Sequence, residues 1–132
     1  MKNKYVLDTS FLSSFLNTRD VNHKRSLRIF MQLPDDFTAI VPAIVRLEMA
    51  VYKGKRSFYQ QVSFQDLFNK LPTEKLEIND EFIKKFEKFV VSTSLPLKAI
   101  DYSVLFCSVI TNSKLLTFDK KIEKYYKKFS RQ

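Results

Sequence analysis

Two short apolar runs in this chain are each closed by an aspartate: KYVLD, ending at Asp8, and KLLTFD, ending at Asp119. Runs this short, rich in residues that favour extended backbone, have the length of a buried strand rather than of a helix. An acid directly after such a run is tolerable only where the strand leaves the core. FTAIV at 37–41 and EKLEI at 74–78 are two more strand candidates, and helical periodicity fills the stretches between. Short apolar strands alternating with helices predict an α/β fold, a three-layer α/β/α sandwich around a short parallel sheet. In that architecture ligands collect at the carboxyl ends of the strands.

The intervening segments read as helices with identifiable starts. TSFLSSFL follows Asp8 with Thr9 or Ser10 as a capping hydroxyl, and NHKRSLRIFMQL places Leu27, Phe30 and Met31 at helical spacing before PDD breaks it. Pro42 stands at the first position of AIVRLEMAVY, where its missing amide hydrogen costs nothing. FYQQVSFQDLFNKL is closed by Pro72. In NDEFIKKFEKFVV, Phe82, Phe86, Phe89 and Val90 form one apolar stripe behind an Asn79 cap, with Asp80 and Glu81 suited to the positive helix terminus. A further helix starts after Pro96, and the basic KKIEKYYKKFSRQ is a surface helix or tail.

Composition narrows the chemistry. The 132 residues suit one domain, 1–132, with a single core. One glycine, Gly54, excludes a P-loop and a dinucleotide fingerprint, both of which need several glycines close together. One cysteine, Cys107, permits neither an internal disulfide nor a cysteine zinc cluster, and its apolar neighbours mark a buried structural thiol. The single histidine, His23, lies in polar company and reads as surface. No secretory leader and no membrane-spanning apolar run is present, so a soluble, cytoplasmic protein without membrane attachment is expected. A formal charge of +9 attracts a polyanion, nucleic acid first and an anionic membrane surface second.

Among the 14 acids, Asp8, Glu48, Asp101 and Asp119 stand in apolar company. The expected elements put Asp8 and Asp119 at strand ends, Glu48 in the helix after another strand, and Asp101 in the first turn of a helix. A parallel sheet draws all four positions toward one edge. Carboxylates held together repel one another until a cation intervenes. Oxygen ligands without histidine or cysteine select Mg²⁺ or Mn²⁺ over zinc or copper. Three of these acids also have a structural role open to them: Asp101 as a helix-start acid, Asp119 as a cap for KKIEKYY, and Glu48 as a salt-bridge partner of Arg46 or another basic residue. Asp66 in SFQDLF has apolar neighbours too, and is assigned no metal.

These segments together resemble the PIN domain family, and especially its small VapC-like ribonuclease toxins. YVLDTSFL resembles the family's opening strand with Asp8, VPAIVRLEMA the segment with Glu48, LKAIDYSVLFCSVI the helix opening with Asp101, and KLLTFDKKI the closing motif with Thr117 and Asp119. Two departures stand out: TNS replaces the glycine that often precedes the LLT strand, and YYKKFSRQ offers no further strand after Asp119. The resemblance implies an endoribonuclease with Asp8, Glu48, Asp101 and Asp119 as catalytic metal ligands. It also implies RNA rather than DNA as substrate, a cognate antitoxin and a homodimer. Thr9, Ser10 and Thr117 would support the ligands by hydrogen bonds. Lys53, Lys55, Arg56, Lys124, Lys127 and Lys128 would hold the nucleic-acid backbone, or simply keep the surface solvated. A noncatalytic RNA-binding or protein-interaction domain of the same fold and a housekeeping RNA-processing nuclease are the alternatives. A haloacid-dehalogenase phosphatase fails because Ser10 stands where that chemistry needs a second aspartate.

Overall fold

In the computed structural model, residues 3–53 and 64–130 are described. In chain order the elements are β1 (Asn3–Leu7), α1 (Thr9–Leu16), α2 (His23–Met31), β2 (Phe37–Ile40), α3 (Ala43–Lys53), α4 (Phe64–Lys70), α5 (Asp80–Thr93), α6 (Ala99–Ile110), β3 (Lys114–Leu116) and α7 (Lys120–Phe129). The strands form a parallel sheet in the order β2-β1-β3. Helices α1, α2 and α3 pack as one group and α5, α6 and α7 as another, giving the expected α/β/α sandwich.

The central strand explains why the acids can meet. Tyr5, Val6 and Leu7 of β1 are buried, as are Ala39 and Ile40 of β2 and Leu115 of β3, so the sheet is apolar through its centre. Burying each large aliphatic side chain contributes about 1.5–3 kcal/mol. Val6 pairs with Ile40 and Leu7 with Leu116, which levels the carboxyl ends of the three strands. The Asp8 amide donates to the Leu116 carbonyl at 3.0 Å, carrying the ladder one residue past β1. β2 and β3 flank β1 on opposite sides, so Asp8 leaves the sheet at the topological switch point, where clefts form in open α/β sheets.

Helix α6 runs through the core, with Tyr102, Val104, Leu105, Phe106, Cys107 and Ser108 buried. The stripe expected on α5 packs onto it: Phe82, Phe86 and Phe89 lie 5.3, 5.7 and 5.1 Å from the Phe106 ring centroid. The Asn79 side chain accepts from the Phe82 amide at 2.9 Å, the cap the sequence suggests. Ser94, with φ 45°, ends α5 in the left-handed region. Asn112, φ 50°, takes the same conformation just before β3. That is where the resemblance offers a glycine, and asparagine is among the residues that best tolerate it.

Several local expectations are corrected. EKLEI is not a strand: Thr73 makes a single parallel bridge to Ala39, the Glu74 amide donates to the Ala39 carbonyl at 2.9 Å, and pairing stops there. Leu76 and Ile78 alternate as a strand would, but Ile78 is exposed. On α2 the inward face is Ser26, Ile29 and Phe30, while Met31 is 82% exposed; contact with α1, where Phe15 meets Phe30 at 4.8 Å, sets that rotation. His23 is half-buried, its Nδ1 2.9 Å from the Ser14 carbonyl oxygen. Neither Thr9 nor Ser10 caps α1; Asp8 holds the N-cap position with no side-chain cap bond. Pro42 precedes α3 by one residue and its carbonyl accepts from Val45 and Arg46. The expected helix ending at Pro72 is described only as Phe64–Lys70, its earlier part lying outside the described residues. The basic C-terminal segment is a helix, anchored by buried Ile122 and by Phe129 against Phe89 at 5.4 Å.

Candidate active site

Asp8 is only 4% exposed, and the protein holds it through two hydroxyls. Ser10 Oγ donates to Asp8 Oδ2 at 2.8 Å and Thr117 Oγ1 donates to the same oxygen at 2.7 Å. Each hydroxyl in turn accepts a backbone amide: Phe118 N–H to Ser10 Oγ at 2.9 Å, and Asp119 N–H to Thr117 Oγ1 at 3.0 Å. The TS pair after β1 and the TFD run after β3 thus lock the two strand ends together around one carboxylate. Charge-assisted bonds of this kind outweigh neutral ones and fix the orientation of the acid.

The other acids are placed by their helices. Glu48 projects from α3, half-buried, and its Oε1 accepts from Thr9 Oγ1 at 2.6 Å. A salt bridge from Arg46 to Glu48 does not form; the Arg46 guanidinium lies 4.5 Å from the centroid of the Phe68 ring. Asp119 caps α7 by accepting from the Lys121 and Ile122 amides at 2.9 and 3.1 Å through Oδ1. Asp101 stands half-buried in the first turn of α6. Burial lifts its carboxyl above the ordinary value of 3.8, the charges of Asp119, Asp8 and Glu48 push it the same way, and Lys98 opposes them. The four acids therefore share one electrostatic field at the carboxyl edge of the sheet.

All four keep oxygens outside the protein's own hydrogen bonding. Asp8 Oδ1, Glu48 Oε2, Asp119 Oδ2 and both oxygens of Asp101 accept no hydrogen bond from a described residue. The described salt bridges use Glu74, Glu81 and Glu123 instead. Among the described residues, however, no three Asp, Glu, His or Cys side chains stand close enough together to grip one ion. Oxygen donors of this kind suit a hard cation, and here they are electrostatically coupled without being closed on a point.

The basic residues fall into separate places. Lys124 and Lys127 line a pocket with Arg25, Phe118, Lys120 and Glu123, beside Asp119. Lys128 lies against Tyr125, 5.0 Å from the ring centroid. Lys53 closes α3, and Lys55 and Arg56 lie outside the described residues. Sequence reasoning missed Arg25 and Lys120 as pocket residues; Lys120 sits four and seven residues before Lys124 and Lys127, a spacing that puts them on one helix face. Cys107 is fully buried and desolvation pushes its thiol up to about 12, confirming a structural thiol. No described helix is long and apolar enough to cross a membrane.

The sheet order, the switch-point aspartate and the ordered acids define a class. The PIN domain model matches residues 5–128, and the chain belongs to the PIN domain family. Among solved structures it is similar to Mycobacterium tuberculosis VapC20, a sarcin-ricin loop cleaving toxin, with TM-score 0.72 and 14% identity over 92% of this chain and 94% of that one. It is also similar to VapBC-1 from nontypeable Haemophilus influenzae, with TM-score 0.65 and 17% identity over 98% and 96% of the two chains. VapBC2 from Rickettsia felis, bound to a DNA fragment from its promoter, gives 0.59 and 18% over 92% of each chain. At these identities the likeness is one of fold. Among curated proteins none matches the sequence significantly.

Proposed function

We propose that the chain is a metal-dependent endoribonuclease that hydrolyses RNA phosphodiester bonds as the toxin of a toxin–antitoxin pair. The observation that carries the reading is the common field of Asp8, Glu48, Asp101 and Asp119, each with carboxylate oxygen left over from the protein's own bonds. Membership of the PIN family and the likeness to toxins of the VapC type support the substrate class. The VapBC relatives support an antitoxin partner, and a cytoplasmic homodimer belongs to the same reading.

In this mechanism the four acids would together hold Mg²⁺ or Mn²⁺. Such an ion acidifies water and offsets the charge that develops on phosphate oxygens. The chain's own residues do the positioning. Ser10 and Thr117 fix Asp8 in orientation, Thr9 fixes Glu48, and the Asp119 carboxylate is tied to the start of α7. Lys124 and Lys127 offset the repulsion between an acidic site and a polyanion by drawing the backbone alongside it.

One observation favours a noncatalytic RNA-binding domain: no three acids among the described residues already converge. The two readings separate in a cleavage assay on a panel of structured RNAs with Mg²⁺, Mn²⁺ or EDTA. The nuclease reading expects metal-dependent cleavage that Asp8→Asn lowers by roughly 100-fold or more. RNA binding without cleavage under any metal supports the binding domain instead.

A further inference from the structure

The face of α7 beside Asp119 forms, with α2, a pocket of about 490 Å³ lined by Arg25, Phe118, Lys120, Glu123, Lys124 and Lys127. That volume lies within the range of sites that bind small ligands. Its one acid is neutralised internally, since Glu123 bonds Lys127 at 3.1 Å, and Lys120 and Lys124 make no salt bridge among the described residues. Its one aromatic lining residue is Phe118. The Phe118 ring rests on Phe11 with centroids 5.7 Å apart, and the Arg25 guanidinium carbon stands 5.2 Å from the Phe118 centroid. Phe118 is also rigidly tied to the acidic edge, because Ser10 Oγ holds its amide and the same Ser10 holds Asp8.

Cations for a phosphate beside a guanidinium on an aromatic plate match the two halves of a nucleotide. We infer that this pocket binds one nucleotide of single-stranded RNA flanking the bond that is cut, its phosphate against Lys120 and Lys124 and its base stacked on Arg25. The inference rests on the ribonuclease reading for its substrate class. An acidic peptide would use the lysines equally well but has no need of the Arg25–Phe118 plate, so base dependence is the discriminating property.

The test is the binding of short fluorescein-labelled oligo(A) and oligo(U) by fluorescence anisotropy in EDTA, where no metal-dependent cleavage intervenes. Arg25→Ala is expected to weaken binding by about tenfold, more for oligo(A), whose larger bases stack more strongly. Lys124→Ala should weaken both RNAs alike and lower the salt dependence by roughly 0.7 in log–log slope. Arg25→Lys, which keeps the charge and loses the plane, should keep the wild-type slope and leave the affinity reduced. Lys85→Ala, on α5 and paired with Glu81, serves as the surface control and should match wild type. Wild-type affinity in Arg25→Ala and Lys124→Ala overturns the pocket, as does a wild-type protein that binds neither RNA. Loss of binding in those variants, in a protein that cleaves no RNA with Mg²⁺ or Mn²⁺, upholds the pocket and refutes the nuclease.

Discussion

Replacing Asp101 by asparagine should make this protein more stable at neutral pH while abolishing its proposed chemistry. In the folded protein the Asp101 carboxylate is partly desolvated and faces Asp119, Asp8 and Glu48, with Lys98 as the opposing charge. Desolvation is the largest cause of the shift, and the charges add to it: each solvent-screened pair is worth about 0.2–1 kcal/mol, so three repulsions less one attraction leave about 1 kcal/mol beyond the desolvation cost. Asp101 also lies in the first turn of α6, where a negative charge gains about 0.3–1 kcal/mol from the helix terminus. The net gain on removing the charge is therefore about 1 kcal/mol, or roughly 3–4 °C in Tm for a chain of this size.

The pH dependence follows from the direction of the shift. A carboxyl whose folded pKa is raised binds more protons in the folded state, so its ionisation lowers stability as pH rises. Below the unfolded pKa the two proteins should differ little on this account, and above the folded pKa the full gap should appear. Thermal melts of wild type and Asp101→Asn in EDTA, from pH 4 upward (a value near the ordinary carboxylate pKa of about 4), measure it. Added salt should narrow the gap. An Asp101→Asn protein that melts at or below wild type at neutral pH refutes the shared-field argument.

Ser10→Ala removes both the donor to Asp8 and the acceptor of the Phe118 amide, and should cost about 1–3 kcal/mol in a denaturant titration and about 10–100-fold in RNA cleavage. Ser94→Gly relieves a left-handed residue at the end of α5 and should add about 1 kcal/mol of stability, seen as a higher denaturant midpoint with unchanged m-value. Cys107, buried with its thiol raised to about 12, should resist iodoacetamide at pH 8 (about the range in which free thiols react) and react once the protein is unfolded; prompt labelling of the folded protein contradicts the core packing.

The strand ends were the most legible part of the site, because Asp8 and Asp119 follow apolar runs whose only accommodation is a buried parallel sheet. The hydroxyls beside them were legible as supports, but not their division of labour. Ser10 and Thr117 share one oxygen of Asp8 across 107 residues of sequence, a contact that only the pairing of β1 with β3 creates. EKLEI misled because alternation reports a half-buried extended segment without saying whether a neighbouring strand is long enough to pair with it; β2 offers four residues and one bridge. The helix α2 misled for a related reason. Leu27 and Met31 have helical spacing, yet contact with α1 turned Ser26 and Phe30 inward. Arg25 could not be assigned to a pocket from its own neighbours, since Phe118 meets it only in the folded chain.

The account stands most directly on cation binding by the acidic edge, and calorimetric titration of Mn²⁺ into wild type and Asp8→Asn measures it without reference to any RNA. Saturable binding to wild type, much weakened in Asp8→Asn, is the expected result. Equal heats from the two proteins, or none from either, contradict it.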